Sequence, residues 1–265
     1  MQMKQENKEV RVTIITPSYN QGQFIEHTIL SVLNQTYRNI QYIIIDGGST
    51  DDTMDVVNKY KDKIDIIIHE RDNGQSNAIN KGFKLADGQL AGWINSDDIL
   101  YPTCVERIVQ LYNAHPEGSI YYSDQIDFLD AIGNVTETKE IPIPNRDYLL
   151  NINFDVIQQG SFYNMNLLKK VNYCNEDIHY CMDLDLWLRL LEHADIYAIQ
   201  NCPVAGFRFW EGTKTVGGGI KFYRNIFEVL QKHGVNPKSP NIRRIKWDVF
   251  KLRVKSLLKS LKLIN

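Results

Sequence analysis

The sequence lacks the features that would assign it to several special classes of protein. Its four cysteines form no C-x-x-C pair and no zinc-like spacing, which fits ordinary small apolar residues in a reducing compartment. No run approaches the roughly 20 apolar residues that span a bilayer, and residues 1–10 lack the apolar stretch of a signal peptide. The net charge is only −2, so no basic field indicates a nucleic-acid partner. We therefore expect a cytoplasmic protein, either free or peripheral on the inner face of the cell membrane.

Strand and helix patterns alternate along the first half of the 265 residues, whose composition is that of an ordinary globular protein. Short, apolar and mostly β-branched runs predict four strands, at residues 12–16, 41–46, 64–68 and 90–95. Helical patterns follow these strands, at residues 24–33, 51–60, 77–86 and 101–114. Continuous apolar strands that alternate with helices predict an α/β fold, with a mostly parallel central sheet flanked by helices on both faces.

Polar side chains follow each of the four predicted strands, at residues 16–20, 46–51, 70–74 and 96–98. Ligands of parallel sheets bind outside the carboxyl ends of the strands, so these four segments are expected to meet along one edge. In the last segment Asp97 and Asp98 are adjacent, and two carboxylates repel each other unless a cation or a solvated loop relieves them. A solvated turn explains any one segment, as a turn cap would explain Asp46, but it explains all four together less well.

The second half of the chain is less regular. Residues 120–128 and 135–139 are predicted as antiparallel strands around a turn at 130–133. Residues 183–192 predict a helix, because apolar side chains recur there at every third or fourth position. Asp183 opens this helix, where a carboxylate either performs chemistry or simply favours the helix start.

Residues 243–265 form a basic tail with eight Lys and Arg residues against one Asp, a net charge of +7. Its apolar residues follow helical spacing, and a basic amphipathic helix is typical of a segment that lies on an anionic membrane surface. A helix packed on the domain with a solvated basic face fits the same pattern, so both interpretations stay open.

Six segments together resemble the family 2 glycosyltransferases, which transfer sugars from nucleotide-diphospho-sugars and have the Rossmann-like GT-A fold. The segments are Thr16-Pro17-Ser18-Tyr19-Asn20, Asp46 to Asp51, Glu70 to Gly82, Ser96-Asp97-Asp98, Gln159-Gly160-Ser161 and Met182 to Arg189. Each motif alone is weak, but their order and spacing are specific, and the match covers roughly residues 10–215. The resemblance implies the following organisation: a GT-A domain at 1–240, divided into a nucleotide-sugar-binding half at 10–115 and an acceptor and catalytic half at 116–215, then a basic amphipathic helix at 241–265.

The resemblance also implies roles for individual residues. Those that would line the nucleotide pocket or contact the donor are Thr16, Pro17, Tyr19, Asn20, Asp46, Asp72, Asn77, Lys81 and Asp97. Asp98 would bind a divalent metal ion, Mn²⁺ or Mg²⁺, as the last carboxylate of this family's D-x-D motif. Asp183 would be the catalytic base, with Asp185 as an alternative one turn inside the same helix start.

The implied activity is inverting transfer of a sugar, most readily from a UDP-sugar, to a saccharide or polyprenyl-linked glycan acceptor in cell-surface polysaccharide synthesis. The sugar would be a hexose or an N-acetylhexosamine. A nucleotidyltransferase is disfavoured, because no basic glycine-rich loop follows the first predicted strand. A non-catalytic relative that binds a nucleotide or another partner remains an alternative.

Two positions depart from the family pattern. Met182 precedes Asp183 where many members have glutamate, which leaves the base itself in place. Trp210 stands where many members have a histidine that contacts the metal or the phosphates, and an indole N–H cannot bind a metal. Either this loop is used differently, or Arg208 and Lys214 balance the charge of the diphosphate.

Overall fold

The structure is a computed structural model that describes residues 9–213 and 218–260. Lys214 lies outside the described residues, as does the end of the basic tail. The strands, in chain order, are β1 Val12–Ser18, β2 Ile40–Asp46, β3 Ile66–His69, β4 Leu90–Trp93, β5 Ile99–Leu100, β6 Ile120–Ser123, β7 Gln125–Leu129, β8 Val135–Glu140, β9 Phe162–Asn164, β10 Ile196–Ile199 and β11 Ala205–Arg208.

Helices cover the strands and also make the connections between them. They are α1 Gly22–Leu33, α2 Thr53–Lys59, α3 Gln75–Leu85, α4 Cys104–Ala114, α5 Arg146–Asn151, α6 Met165–Lys170, α7 Met182–Leu190, α8 Gly219–Lys232 and α9 Pro240–Ser260. Within the described part of the chain, no helix is long and apolar enough to cross a membrane.

The central sheet has seven strands in the order β10-β6-β9-β4-β1-β2-β3. Strand β1 pairs in parallel with β2 and β4, and β2 pairs in parallel with β3, while β9 is antiparallel to both β4 and β6. The predicted mixed, mostly parallel sheet is therefore confirmed. Every residue of β1 is buried, which explains the continuous apolar run that predicted this strand.

A second sheet has the order β5-β11-β7-β8 and packs at the same end of the molecule as the predicted site. The prediction of one strand at 120–128 was wrong, because the chain bends at Asp124 and sends β6 and β7 into different sheets. The N–H of Asp124 donates to Ile199 and its carboxylate accepts from the N–H of Asn201, which fixes the bend. Strands β5, β10 and β11 and helices α5 and α8 were not predicted.

The two predicted halves share one core. Strand β9 from the second half lies between β4 and β6, and Tyr163 on β9 contacts Trp93 of β4 and Phe83 of α3 through their rings. Trp187 of α7 is fully buried and donates its indole N–H to the Tyr163 hydroxyl. This packing holds the start of α7, and therefore Asp183, at a fixed position relative to the first half.

Candidate active site

A cavity of about 860 Å³ opens at the carboxyl ends of the parallel strands. Its walls come from the segments after β1, β2, β3 and β4, from the start of α7 and from the second sheet. The predicted site residues that line it are Pro17, Tyr19, Asp72, Asp97 and Asp183. Side chains that are about 160 positions apart in sequence thus face one space, as the topology of an open α/β sheet requires.

Two polar atoms at the β1 end of this cavity have no hydrogen-bond partner among the described residues. They are Oγ of Ser18, the last residue of β1, and Oε1 of Gln21, the residue that precedes α1, and both atoms are buried. Both residues line the cavity. Buried polar groups are normally satisfied, so these two atoms are exceptions beside the cavity. Ser18 lies within the predicted segment 16–20, whereas Gln21 was missed, and the unpaired atoms could be found only in the folded chain.

Three residues that were predicted to contact the nucleotide-sugar donor instead bind neighbouring segments of the chain. Thr16 is fully buried and its hydroxyl contacts that of Tyr42 at 3.1 Å. Asn20 accepts a hydrogen bond from the N–H of Thr50, which ties the loop after β1 to the loop after β2. Asp46 is fully buried, accepts from the N–H of Ser49 and lies 2.6 Å from the His69 ring nitrogen. None of the three lines the cavity, so their direct contact with a donor remains a prediction.

Asp72 lies at the cavity beside the end of β2. A Cβ at Gly47 would come within 2.5 Å of the Asp72 carboxylate, so only glycine leaves room for this approach. Asp72 also accepts a hydrogen bond from the N–H of Gly74, whose φ of +108° brings the chain into α3. The local sequence Asp72-Asn73-Gly74 therefore fixes the carboxylate at the start of a helix.

Asn77 and Lys81 lie on α3 but do not line the cavity. Asn77 donates to the Glu176 carboxylate at 2.8 Å, and Lys81 donates to Glu70 at 2.7 Å. Both side chains connect α3 to neighbouring segments, and their predicted contact with ribose or phosphate stays untested.

The adjacent residues Asp97 and Asp98, which follow β4, lie in different surroundings. Asp97 lines the cavity, whereas Asp98 is fully buried and accepts hydrogen bonds from Asn95, Gln159 and the N–H of Arg208 at 2.8 to 3.0 Å. Burial and the charge of Asp97 raise the pKa of Asp98 well above its ordinary value. Burial also raises the pKa of Asp97, although the hydrogen bond from Trp210 lowers it in part. The geometry thus favours Asp97 over Asp98 as the carboxylate that faces a ligand.

Trp210 donates its indole N–H to Oδ2 of Asp97 at 2.9 Å. Its ring packs edge-on against Phe24 with centroids 4.9 Å apart, and a Cβ at Gly212 would collide with it at 2.2 Å. The aromatic residue of the late loop therefore holds the Asp97 carboxylate.

Arg208 does not line the cavity, although in one of the two alternatives above its charge and that of Lys214 would balance the diphosphate. Its guanidinium is buried and donates to the carbonyl oxygens of Asp97, Asp130 and Ala131. Arg208 fixes the loop that carries the two aspartates, while Lys214, the other predicted cation, lies outside the described residues.

The residues at the cavity could hold a divalent cation together with a bound substrate. Among residues 9–213 and 218–260, no group of three or more His, Cys, Asp and Glu side chains could hold a metal alone. Asp97 supplies one carboxylate at the cavity, and Mg²⁺ or Mn²⁺ is commonly held by one or two carboxylates together with substrate phosphates. The donor set is thus sufficient only when a diphosphate completes it.

Asp183 and Asp185 differ sharply although both lie in the first turn of α7. Asp183 lines the cavity, and its Oδ1 accepts from the N–H of Leu184. Asp185 is fully buried and bonds to Arg189 at 2.7 Å, His233 at 3.0 Å and Lys232 at 3.3 Å. These contacts occupy both oxygens of Asp185, which leaves Asp183 as the carboxylate of α7 that can receive a proton in the cavity.

The Asp185 cluster should stabilise the fold. Although burial alone raises the pKa of Asp185, the hydrogen bond from His233 and the charge of Arg189 lower it overall. We expect Asp185→Asn to cost about 3 kcal/mol, because breaking a buried ion pair leaves its partners uncompensated. Since the pKa is lowered, the stabilisation is complete above the ordinary value of 3.8 and declines as the pH falls below it. Urea unfolding at pH 7 and pH 3 measures both effects, and equal stability of the variant and the parent at pH 7 would contradict the first.

Part of the cavity lining is aromatic. It includes Phe128, Phe207, Phe209, Tyr180 and Phe222. The rings of Phe128 and Phe207 meet edge-on with centroids 5.5 Å apart. A lining that combines carboxylates with aromatic rings suits a ligand with a charged part and a less polar part.

A comparison with known families fits this site. The sequence profile of Glycosyl transferase family 2 matches residues 13–172. The chain belongs to this family. The match includes the strand ends that carry Pro17, Asp72 and Asp97 and stops before Asp183.

Similar proteins carry the same family name. An uncharacterised glycosyltransferase of Rickettsia typhi is 28% identical over 204 residues, which are 74% of this chain and 63% of the relative. One from Rickettsia conorii is 29% identical over 218 residues, which are 77% of this chain and 35% of the relative. The chain of this family member thus spans less than two thirds of the length of either relative.

Solved structures share the fold at low identity. The Staphylococcus aureus protein TarS, residues 1–349 in complex with UDP-GlcNAc, has a TM-score of 0.64 and 18% identity, over 83% of this chain and 65% of that one. The mannosyltransferase PcManGT of Pyrobaculum calidifontis, in complex with GDP-Man and Mn²⁺, has a TM-score of 0.67 and 14% identity, over 96% of this chain and 76% of that one. The predicted GT-A fold is confirmed.

Proposed function

We propose that this family 2 member is an inverting glycosyltransferase that moves a sugar from a nucleotide-diphosphate donor to a saccharide or lipid-linked glycan acceptor. The observation that carries the proposal is the meeting of Asp72, Asp97 and Asp183 in one cavity of about 860 Å³. A space of this size accepts a nucleotide-sugar together with part of an acceptor. The proposed setting is the synthesis of a cell-surface polysaccharide, as the family resemblance implies.

The cavity lining supports a division of roles between the two halves of the chain. Residues 10–115 contribute polar residues at the strand ends, including Ser18, Gln21 and Asp72, which we assign to the donor nucleotide. Residues 116–215 contribute Asp183 and most of the aromatic rings, which we assign to the acceptor, since aromatic rings pack well against sugar faces.

The proposed reaction is a direct displacement. Asp183 takes the proton of the acceptor hydroxyl, and the oxygen of that hydroxyl attacks the anomeric carbon of the donor sugar. The bond from that carbon to the phosphate oxygen breaks, and the electron pair leaves with the nucleoside diphosphate. Asp97 would hold Mn²⁺ or Mg²⁺ together with the diphosphate, and such an ion neutralises the charge that develops on the leaving oxygen. Trp210 keeps the Asp97 carboxylate in place.

The nucleotide is tested by calorimetric titration with UDP in Mn²⁺ and again in EDTA. We expect UDP to bind at least about tenfold more weakly in EDTA. Asp97 and the diphosphate would hold the metal ion together, so removal of the ion removes their shared contact. GDP and dTDP test the alternatives, since the two structural neighbours were solved with different nucleotides, UDP-GlcNAc and GDP-Man. Tight binding that ignores EDTA would keep the donor site and remove the metal, whereas no binding of any nucleotide would overturn the proposal.

Sugar and acceptor are tested by transfer. A screen of UDP- and GDP-linked hexoses and N-acetylhexosamines against saccharide and polyprenyl-linked acceptors should give one preferred pair. Nucleotide binding without transfer to any acceptor would favour the alternative of a non-catalytic relative.

A further inference from the structure

The last helix of the described chain, α9, is attached to the domain by one face only. Ile242 and Ile245 are buried at 3% and 4% exposure, and Asn241 donates to the carbonyl oxygens of Leu149 and Leu150. These contacts fix the first turns of the helix and its direction relative to the domain.

The opposite face of α9 carries large apolar side chains that are exposed to solvent. Trp247 is 60% exposed, Phe250 is 55% exposed and Val254 is 38% exposed. Their spacing of three and then four residues places them on one stripe, and the rings of Trp247 and Phe250 stack at 5.7 Å. A contiguous exposed apolar stripe marks an interaction surface more often than scattered single residues do.

Basic side chains border this stripe on both sides. At 3.6 residues per turn, Lys246 and Arg253 fall on one side of it, and Lys251 and Lys255 fall on the other. Residues 243–258 contain six basic residues and one acid, Asp248, so this segment has a net charge of +5. Asp248 pairs with Lys251 and Arg244. An apolar stripe between two basic rows is the arrangement of helices that lie in the interface of a membrane.

We propose that α9 binds an anionic bilayer surface, with Trp247, Phe250 and Val254 at the boundary between headgroups and acyl chains. The charge decides between this partner and a second copy of the chain. Two copies that met through this stripe would bring a charge of +5 against another of +5, whereas anionic headgroups complement it. The sequence left open whether the tail packs on the domain or binds membrane. In the structure one face of α9 packs on the domain, and the opposite face, which we assign to the membrane, is exposed.

The position of α9 also suggests what membrane binding achieves. Arg244, in the second turn of α9, lines the large cavity and pairs with Asp155 at 2.9 Å, and its guanidinium lies over the Phe154 ring. The stripe begins with Trp247, one turn later, so a bilayer bound there would lie close to the cavity. This consequence, that a lipid-linked acceptor reaches the cavity from the bilayer, rests on the proposed function, whereas membrane binding itself does not.

The test is co-sedimentation of the full chain with vesicles of phosphatidylglycerol and phosphatidylcholine, compared with vesicles of phosphatidylcholine alone. Trp247 gives a second readout, because a blue shift of its fluorescence reports entry into the apolar boundary. Trp93 and Trp187 are buried already, and Trp210 is half-buried, so the background signal is taken from a variant that lacks only Trp247, Trp247→Phe. We expect binding to the anionic vesicles only, a blue shift on binding, and weaker binding as salt rises.

The variant Trp247→Glu/Phe250→Glu should bind at least about tenfold more weakly, since it removes the two largest side chains of the stripe. Ile132→Glu is the matched control, because Ile132 is 79% exposed in the turn between β7 and β8, away from α9. Equal melting temperatures of the variants show that folding is unchanged, and nucleotide binding is measured separately. Equal binding of the Trp247→Glu/Phe250→Glu variant and the control would overturn the proposal. So would a concentration-dependent dimer, lost in that variant, with no binding to vesicles.

Discussion

Asp183→Asn should lower the turnover of sugar transfer by about 100- to 10,000-fold, the range that a general base contributes. Asp183 is the carboxylate of α7 that lines the cavity, and the amide of asparagine cannot accept the proton of an acceptor hydroxyl. The loss should fall on kcat with little change in the affinity for the nucleotide. The residues that we assign to the nucleotide follow the strands of the first half, whereas Asp183 lies on α7. The measurement uses the preferred donor and acceptor, with calorimetry for the nucleotide.

Asp177→Asn is the control for this prediction. Asp177 is exposed, lies six positions earlier in the chain and does not line the cavity. Both variants should remain folded, since Asp177 is exposed and the amide oxygen of asparagine at position 183 can still accept from the N–H of Leu184; thermal unfolding checks this. A kcat of Asp183→Asn within a few fold of the control would remove Asp183 from the role of base. Asp185 offers no replacement, because Arg189, Lys232 and His233 surround its carboxylate.

The first half of the fold could be predicted from sequence because its strands are buried on both faces. Residues of β2 such as Tyr42 and Ile44 are at most 2% exposed, so the strand is a continuous apolar run that no amphipathic helix would show. Strand β11, with the sequence Ala-Gly-Phe-Arg, has no such signal. It forms by pairing with β5 and β7, which lie far away in sequence, and local patterns cannot reveal such partners.

The candidate site, like the fold, could be predicted only in part from the sequence. The polar strand ends do meet at one cavity, and Asp72 and Asp183 lie there, because the parallel topology brings the ends together. Local sequence could not tell that Thr16 contacts Tyr42 or that Lys81 contacts Glu70, since those partners lie on other elements. For the same reason it could not show that the oxygens of Ser18 and Gln21 are left unpaired.

The choice between the two adjacent aspartates shows the limit most clearly. Nothing in the order Asp97-Asp98 says which carboxylate reaches the ligand. The structure separates them through β11, since the N–H of Arg208 binds Asp98 while the indole of Trp210 binds Asp97 at the cavity. A segment more than 100 positions away in sequence therefore assigns their surroundings.

Asp97→Asn should abolish the effect of Mn²⁺ on nucleotide binding and lower transfer at least about 100-fold, because it removes the charged carboxylate that faces the diphosphate. The fold should be preserved, since the amide oxygen can still accept from Trp210 while the amide NH₂ faces the cavity. Trp210→Phe should give an intermediate effect of about tenfold on the apparent affinity for Mn²⁺, because it keeps the packing on Phe24 and removes only the hydrogen bond.

Asp98→Asn should lower the stability of the fold and leave the Mn²⁺ dependence of nucleotide binding intact, the reverse of Asp97→Asn. Both Asp98 oxygens accept hydrogen bonds, so the amide NH₂ of asparagine must face a donor in either orientation. We expect a loss of about 1–3 kcal/mol in unfolding free energy, with the Mn²⁺ dependence of nucleotide binding retained by the folded fraction. Calorimetry with UDP, with and without EDTA, together with urea unfolding separates the two variants. If Asp98→Asn instead lost the Mn²⁺ dependence at unchanged stability while Asp97→Asn kept it, the metal would belong to Asp98, as the family resemblance implies. Binding of the metal would then require the hydrogen bonds from Asn95, Gln159 and Arg208 to rearrange.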